Sequence, residues 1–492
     1  MYVKKIVASS ANTAFDAILD DLKKYAEKSA PRGFEITELE NVNIIITNPR
    51  DRIITCPERK FNAAYAFGEL AWYLSGNNSV DQISYYSKFQ RNCSDDGKTL
   101  NSAYGARIFG IHNEDEFVKY YDKIGFDQWK ECVNKLKNDK DTRQAIIHLH
   151  TPNDKKTKDE VCTLSLQFLI RNNKLNMITT MRSNDIVLGF TYDVFAFTFM
   201  QELMANELGV ELGVYCHNVG SMHIYSKEFY NMDVDLLQKH KLVKLGKMQK
   251  INFDIYSSEI KDFILYERNM RKMVDTQDTQ FTSEFEAFYK YAFYLKYCKN
   301  QGYSKTLMDF KIQELRDAGF ENVADILQLT TKGKNEGKKI VIEGIDRAGK
   351  NTFIEKHYNS NDFDFVHFSV PSINFDFYEN YMIHILSSKN EIMNRFFVSE
   401  EVYSILRGGS RIAKIDLEIL LCACRDYNVE FNIFVFNGKK QREELKSRMI
   451  KNGDENLIDH IDDINEAYVQ LGCKMKDYGI SVKFYDIMGA EI

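Results

Sequence analysis

Residues 160–193 read EVCTLSLQFLIRNNKLNMITTMRSNDIVLGFTYD, and this stretch decides the architecture. Two β-rich runs, Leu164–Ile170 and Leu175–Met181, flank Asn172-Asn173. Asparagine tolerates positive φ better than most residues, so the pair predicts a two-residue hairpin turn. With Arg171 opposite Lys174, counting outward sets Cys162 opposite Ser183, with Arg182 next door. A thiol beside a guanidinium has its thiolate favoured, which makes Cys162 a candidate nucleophile. A buried structural cysteine beside a surface arginine is the other reading of the same spacing.

Outward from the hairpin, Tyr192–Leu208 is an apolar helix with Asp193 in its first turn, where an acid is favourable against the helix dipole. Asn218–Ser226 is a strand on which His223 and Tyr225 share one face. Upstream, Ala11–Tyr25 has helical periodicity and Val42–Thr47 is a β-branched strand. The loop after it, Asn48–Arg52, offers two cations, Arg50 and Arg52. Ala63–Leu74 (AAYAFGELAWYL) is an apolar helix carrying one carboxylate, Glu69. An acid on such a face is costly unless it is exposed or has a task, and burial raises its pKa toward the range useful for proton transfer.

With 492 residues, 44% hydrophobic and 28% charged, the chain has room for two or three ordinary globular domains. A net charge of −6 gives no general basic face, which argues against long nucleic acid as partner. No run of about 18 apolar residues exists, so no membrane span is expected and a cytoplasmic location is. Nine scattered cysteines, with Cys422 and Cys424 lacking a zinc-like partner pair, predict reduced thiols.

The order Cys162-Thr163, Arg182-Ser183-Asn184-Asp185, Leu188-Gly189 and Asp193 resembles the thymidylate synthase superfamily, and within it the bacteriophage deoxycytidylate hydroxymethylase branch. Thr follows the nucleophile where the synthases have His, and Asp193 stands where the uracil-specific enzymes carry Asn. The resemblance spans about 42–230 and implies an α+β domain with a large mixed sheet, a dCMP substrate, 5,10-methylenetetrahydrofolate as one-carbon donor, and a homodimer with shared sites. It further implies Cys162, Glu69, Tyr104 (in Leu100–Arg107, LNSAYGAR) and Asp193 as catalytic residues. Arg182, Ser183 and Arg50 would bind phosphate, joined by Arg143 (in Lys140–Ile147, KDTRQAII) from the partner chain. Asp185 would hold the pterin, and His223 with Tyr225 the 3′-hydroxyl. Two departures stand out: Gln144 replaces a second arginine, and Phe89 or Gln90 falls where the family has a functional tryptophan.

Downstream, 236–332 reads as a helical extension, with Phe285, Phe288, Tyr289 and Ala292 on one face, and then a polar linker. From 333 a new domain opens. Lys339–Glu343 is a short apolar strand, followed by Gly344-Ile345-Asp346-Arg347-Ala348-Gly349-Lys350-Asn351-Thr352 and a helix, the context of a phosphate loop. Its backbone would wrap ATP phosphates with Lys350 reaching the terminal ones. The wording resembles thymidylate kinases and related deoxynucleoside monophosphate kinases, which implies an α/β parallel-sheet domain using ATP and Mg²⁺. In that likeness Gly344, Asp346, Arg347, Gly349, Lys350, Asn351, Thr352 and Arg448 would hold ATP, Asn351 would ligate magnesium, and Arg395 would grip the acceptor. Asn351 replaces the usual Ser/Thr ligand, and Asn394 replaces an Asp.

The expected sequence of events is 5-hydroxymethylation of dCMP in 1–235, then phosphorylation of the product by 333–492, supplying precursors for modified viral DNA. The alternative is a 5-methyltransferase acting on dCMP or dUMP, with folate as hydride donor and a C-terminal domain that only binds nucleotide.

Overall fold

The computed structural model describes residues 4–492 apart from 57–58, 60, 111–126, 151–153, 155–156, 227–236, 238–246, 273–280, 302–304, 331–336, 360, 369–376 and 388. The boundaries expected at 235/236 and 332/333 lie outside the described residues. The chain divides into two compact units, Met1–Tyr297 with Ile312–Thr331, and Cys298–Lys311 with Lys332–Ile492.

The first unit is built on seven strands: β1 (Lys4–Ala8), β2 (Glu27–Ser29), β3 (Ile36–Ile46), β4 (Ile146–His148), β5 (Thr163–Arg171), β6 (Lys174–Asp185) and β7 (Glu211–Tyr225). They form one mixed sheet in the order β1-β3-β7-β6-β5-β4, with β2 paired to β3. The hairpin closes where its asparagines require. Asn172 and Asn173 take φ of 52° and 57°, and Arg171 pairs with Lys174. The register does not run unbroken to Cys162. A bulge between Thr163 and Ser165 inserts Leu164, so Thr163 faces Met181 and the Arg182 amide donates to the Cys162 carbonyl at 2.9 Å. Arg182, not Ser183, is therefore opposite Cys162. The extra residue is held by the Leu164 carbonyl, which accepts from the amides of Leu149 and His150.

Helices cover this sheet: α1 (Ala11–Tyr25), α2 (Ala63–Leu74), α3 (Tyr104–Phe109), α4 (Gln128–Asn138) and α5 (Thr191–Glu207). A π-helical turn, Ile186–Phe190, leads into α5, and Asp185 caps it by accepting from Val187 and Leu188 amides. The segment Ile186–Glu207 is long and apolar enough to span a membrane, yet 83% of it is buried inside the unit, so it reads as a core helix. Helices α6 (Ser258–Arg271) and α7 (Glu284–Gln301) bring Phe263, Phe285 and Phe288 against Phe67 of α2, with ring centroids 6.1, 6.1 and 4.9 Å away. The aromatic stripe of the middle segment is thus core of the first unit.

The second unit holds β8 (Lys339–Gly344), β9 (Asp364–His367), β10 (Glu391–Asn394), β11 (Glu430–Phe434) and β12 (Ser481–Tyr485). All pair in parallel, in the order β12-β11-β8-β10-β9. Every residue of β8 is buried, as a central parallel strand requires. It turns into α8 (Lys350–His357) through Gly344, whose φ is +125° and whose missing Cβ would sit 2.2 Å from the Phe434 carbonyl oxygen.

Candidate active site

The first site gathers at one end of the mixed sheet. Cys162 precedes β5, Arg182 to Asp185 end β6, and His223 and Tyr225 end β7 in register with them, Ser183 opposite Ser221 and Asp185 opposite His223. Arg182 clamps the strand entering Cys162, since its Nε donates to the Val161 carbonyl at 3.0 Å and Nη2 to the Glu160 carbonyl at 3.0 Å. Burial pushes the Cys162 thiol above its ordinary value, while the Arg182 charge and a Ser183 hydrogen bond oppose the rise. The guanidinium favours the thiolate as expected but does not win in this state.

Tyr104 and Asp193 interact with the thiol from the helices, and Glu69 interacts with Asp193. Tyr104 opens α3, and its buried hydroxyl accepts the Thr163 amide at 3.2 Å, one residue from Cys162. The close approach of α3 to α2 depends on Gly105, where a Cβ would lie 2.0 Å from the Tyr73 carbonyl oxygen. Glu69 on α2 is buried and accepts from the Tyr65 hydroxyl at 2.7 Å. Burial, helped by the charge of Asp193, raises its pKa to about 8 against the hydrogen bonds of Tyr65 and Tyr73. Asp193, also buried, is raised to about 7 by burial, opposed by the Asn184 amide that donates to its Oδ2 at 2.7 Å. Both acids are poised to hold or release a proton near neutrality.

Other expected residues fall differently. His223 packs edge-on against Tyr225 with centroids 5.0 Å apart, as the shared face requires. Asp185 spends its Oδ1 on the helix cap. Gln90, rather than exposed Phe89, reaches the site, donating to the Tyr65 hydroxyl at 3.0 Å. Arg143 is exposed beside Gln167, which its carbonyl contacts. That is five strand positions from Cys162, about 16 Å at the strand rise, so Arg143 does not reach the site of its own chain. Arg50 is misplaced by the sequence reading. The site end of β3 is its start, where Ile36 pairs with Tyr225, whereas Arg50 follows Ile46, which pairs with Tyr215. Its Nε instead binds buried Glu202 at 2.6 Å, which also holds buried Arg52. The cation that does approach is Arg32, hydrogen-bonded to Tyr225. It sits at φ 56° in the turn Pro31–Gly33 just before β3. Sequence reasoning passes over Arg32, Tyr65 and Tyr73 and gives Asn184 no role of its own within its motif; the Pro-Arg-Gly turn ahead of the strand is the signal for the first.

The thymidylate synthase family profile matches residues 33–277. The deoxycytidylate 5-hydroxymethyltransferase of Enterobacteria phage T4 is 30% identical, over 35% of this chain and 71% of that protein. The chain belongs to the thymidylate synthase family. A deoxyuridylate hydroxymethyltransferase of Bacillus phage SP01 is 34% identical over 45% of this chain and 59% of its own length. The chain spans only 52–59% of the length of this relative and of two further deoxyuridylate hydroxymethyltransferases. A solved thermostable thymidylate synthase A from Bacillus subtilis is similar over 51% of this chain and 92% of its own, at 19% identity and a TM-score of 0.40.

Enzymes of the thymidylate synthase family use methylenetetrahydrofolate, and the site residues suit it. The Asp185 carboxylate stands three residues from Leu188, 46% exposed on the π-helical turn, so a polar and an apolar group lie together where a flat heteroaromatic ring needs both.

In the second unit the residues expected to form a phosphate loop largely satisfy one another. Buried Lys350 donates to the carbonyls of Gly344 and Ile345 at 2.5 and 2.8 Å, and burial lowers its pKa. Gly349 takes φ +92°, turning the loop into α8. Asp346 pairs with Arg395, and the Tyr403 hydroxyl donates to it at 3.3 Å. Arg347 pairs with Asp454 at 2.6 Å, and Arg448 reaches the Arg347 and Ile487 carbonyls at 3.4 and 3.3 Å. Thr352 is exposed in the first turn. Asn351, the expected magnesium ligand, has its Oδ1 taken by the Asn394 amide at 2.7 Å. Among the described residues no cluster of three or more His, Cys, Asp or Glu could hold a metal. The Asn351 oxygen expected to ligate Mg²⁺ is thus already engaged, and binding an ion there requires the amide pair to open.

Proposed function

We propose that the first unit is a deoxynucleotide hydroxymethyltransferase that adds a hydroxymethyl group to carbon 5 of dCMP. The observation that carries this reading is a buried carboxyl, Asp193, in electrostatic contact with both the Cys162 thiol and Glu69. Asparagine would match uracil's carbonyl and N–H; an acid matches cytosine's amino group. Methylenetetrahydrofolate, when bound, supplies the one-carbon unit. Cys162 adds to ring carbon 6 and later leaves it, and Arg182 stabilises its thiolate. Tyr104 lies beside the thiol and assists removal of the carbon 5 proton. Glu69, held by Tyr65 and Tyr73, keeps a proton near neutrality and orders the water that completes the hydroxymethyl group. Arg182, Ser183 and Arg32 hold the phosphate, Asp185 the pterin, and His223 with Tyr225 the sugar. Arg143 serves the partner subunit of a homodimer, a role that its distance from Cys162 in its own chain supports.

The same transfer on dUMP is the second reading, favoured by the likeness to the deoxyuridylate hydroxymethyltransferase of phage SP01. The second unit is a nucleoside phosphate binder that phosphorylates the modified nucleotide with ATP. The Asn351–Asn394 pair favours binding without turnover as its alternative. Mass spectrometry of products from dCMP or dUMP with methylenetetrahydrofolate and ATP tests all of this. Hydroxymethyl-dCMP with tetrahydrofolate is expected. A methyl product with dihydrofolate overturns the transfer, and no ATP consumption overturns the kinase.

A further inference from the structure

Behind Asp193 lies a chain of three hydrogen bonds that the chemistry above does not use. The Asn184 amide donates to Asp193 Oδ2 at 2.7 Å, its Oδ1 meets His217 Nε2 at 3.1 Å, and His217 Nδ1 meets the Tyr215 hydroxyl at 2.8 Å. All four side chains are buried, Tyr215 and His217 completely and Asn184 at 4% exposure. Such a chain has a direction. A carboxyl oxygen accepting an N–H forces the amide oxygen of Asn184 toward His217, so His217 donates from Nε2 and its bare Nδ1 accepts from Tyr215. Burial keeps His217 neutral, holding its pKa down at about 3, so it has one N–H to give.

We propose that Asn184, held by His217 and Tyr215, is the specificity-determining positioning residue that makes Asp193 choose between cytosine and uracil. The proposal rests on the reading that Asp193 faces the base. A neutral carboxyl offers a donor on one oxygen and an acceptor on the other. Cytosine shows an amino donor beside a bare ring nitrogen, and uracil shows a carbonyl beside an N–H. An acid free to carry its proton on either oxygen would therefore read both bases by swapping the order. Asn184 removes that freedom. Oδ2 accepts the amide N–H and stays the acceptor, so any proton rides on Oδ1, and one base order alone is matched. The acid is necessary for selection, and the relay fixes its sense.

The experiment is the ratio of kcat/KM for dCMP over dUMP in the full-length protein, together with calorimetric Kd values for both nucleotides. The ratio is taken per folded active molecule, so a merely structural role leaves it unmoved. His217→Phe removes the N–H that holds Asn184 and lowers the ratio about tenfold, on the scale of one mismatched buried hydrogen bond. His217→Gln keeps an N–H toward Asn184 and restores most of it. Tyr215→Phe, a smaller change should His217→Phe fail to fold, lowers it severalfold. Asp193→Asn is the control for the underlying reading. If Asp193→Asn moves the ratio while the soluble His217 and Tyr215 variants leave it at the wild-type value, the relay is overturned and base reading by Asp193 stands. If Asp193→Asn leaves the ratio unchanged, base reading itself is overturned, and the relay with it.

Discussion

The two regions of this chain that are expected to hold phosphate treat their polar groups in opposite ways. In the first unit the internal partners hold the reactive groups from behind. Tyr65 grips Glu69, Asn184 grips Asp193, and the Arg182 guanidinium grips the carbonyls entering Cys162. In the second unit the groups expected to hold ATP pair among themselves: Lys350 with loop carbonyls, Asn351 with Asn394, Asp346 with Arg395. A site whose reactive groups are braced by other residues is pre-organised for chemistry. One whose groups brace each other must break those pairs to bind, and each broken pair subtracts from affinity.

The largest effect belongs to the first region. Cys162→Ser should lower one-carbon transfer by on the order of a thousandfold or more, because a hydroxyl is a far weaker nucleophile than a thiolate at neutral pH. Calorimetric affinity for dCMP should stay within a few-fold. Near-normal turnover would mean that the braced pocket is not a thiol site, and the contrast between the units would dissolve.

Next comes the second region. Lys350→Ala should weaken ATP binding by about a hundredfold, the scale of a lost charge-assisted phosphate contact, and leave hydroxymethyl transfer unchanged. Asn394→Asp sharpens the comparison: a carboxylate beside Asn351 supplies a hard oxygen, so binding should become Mg²⁺-dependent. If wild-type binding already requires Mg²⁺, the amide pair opens freely and the second site is less self-satisfied than its hydrogen bonds suggest.

Much of the first region is legible in the sequence, for physical reasons that also mark where legibility stops. The Asn172-Asn173 turn, the lone acid Glu69 and the strand pair His223 and Tyr225 are local patterns, and local patterns survive folding. The bulge at Leu164 is not local: it depends on Leu149 and His150 arriving from β4, so counting residues across the hairpin puts Ser183 opposite Cys162 instead of Arg182. The Asn184–His217 contact joins residues 33 apart through parallel strands, beyond any periodicity. The sequence puts the phosphate cation in the loop of Arg50 and Arg52 and passes over Arg32, because a loop after a strand looks like any other until the direction of β3 against β7 is known. The amide replacements Asn351 and Asn394 are visible in the sequence, but their mutual hydrogen bond needs the fold.

Smaller still is the effect on stability. The folded pKa of Glu69, about 8, lies above its ordinary value of 4.5. Its contribution to stability is therefore fully present below pH 4.5 and is lost as pH rises through about 8, on the order of a few kcal/mol in all. Glu69→Gln cannot ionise, so between about pH 5 and 8 the melting transition that dCMP shifts should fall about 5 °C less than in the wild type. Parallel melting curves for the two proteins would place Glu69 in solvent and remove it from the braced set.

The smallest expected change tests the corrected assignment of the phosphate cation. Arg32 hydrogen-bonds Tyr225 at the Cys162 end of the sheet, and it stands on an exposed turn, where a charge contact with a nucleotide is partly screened. Arg32→Ala should weaken dCMP about tenfold while leaving deoxycytidine unaffected, because only the phosphate is lost as a partner. Arg50 is tied to Glu202 at the other end of β3. Arg50→Ala should leave dCMP affinity within about twofold and instead lower stability by about 1 kcal/mol, since Arg52 still neutralises the buried carboxylate. Titrating both variants with nucleotide and nucleoside separates the two ends of the sheet. A loss of dCMP affinity in Arg50→Ala with none in Arg32→Ala would restore the loop after β3 as the phosphate site. It would also require β3 to run in the opposite direction against β7.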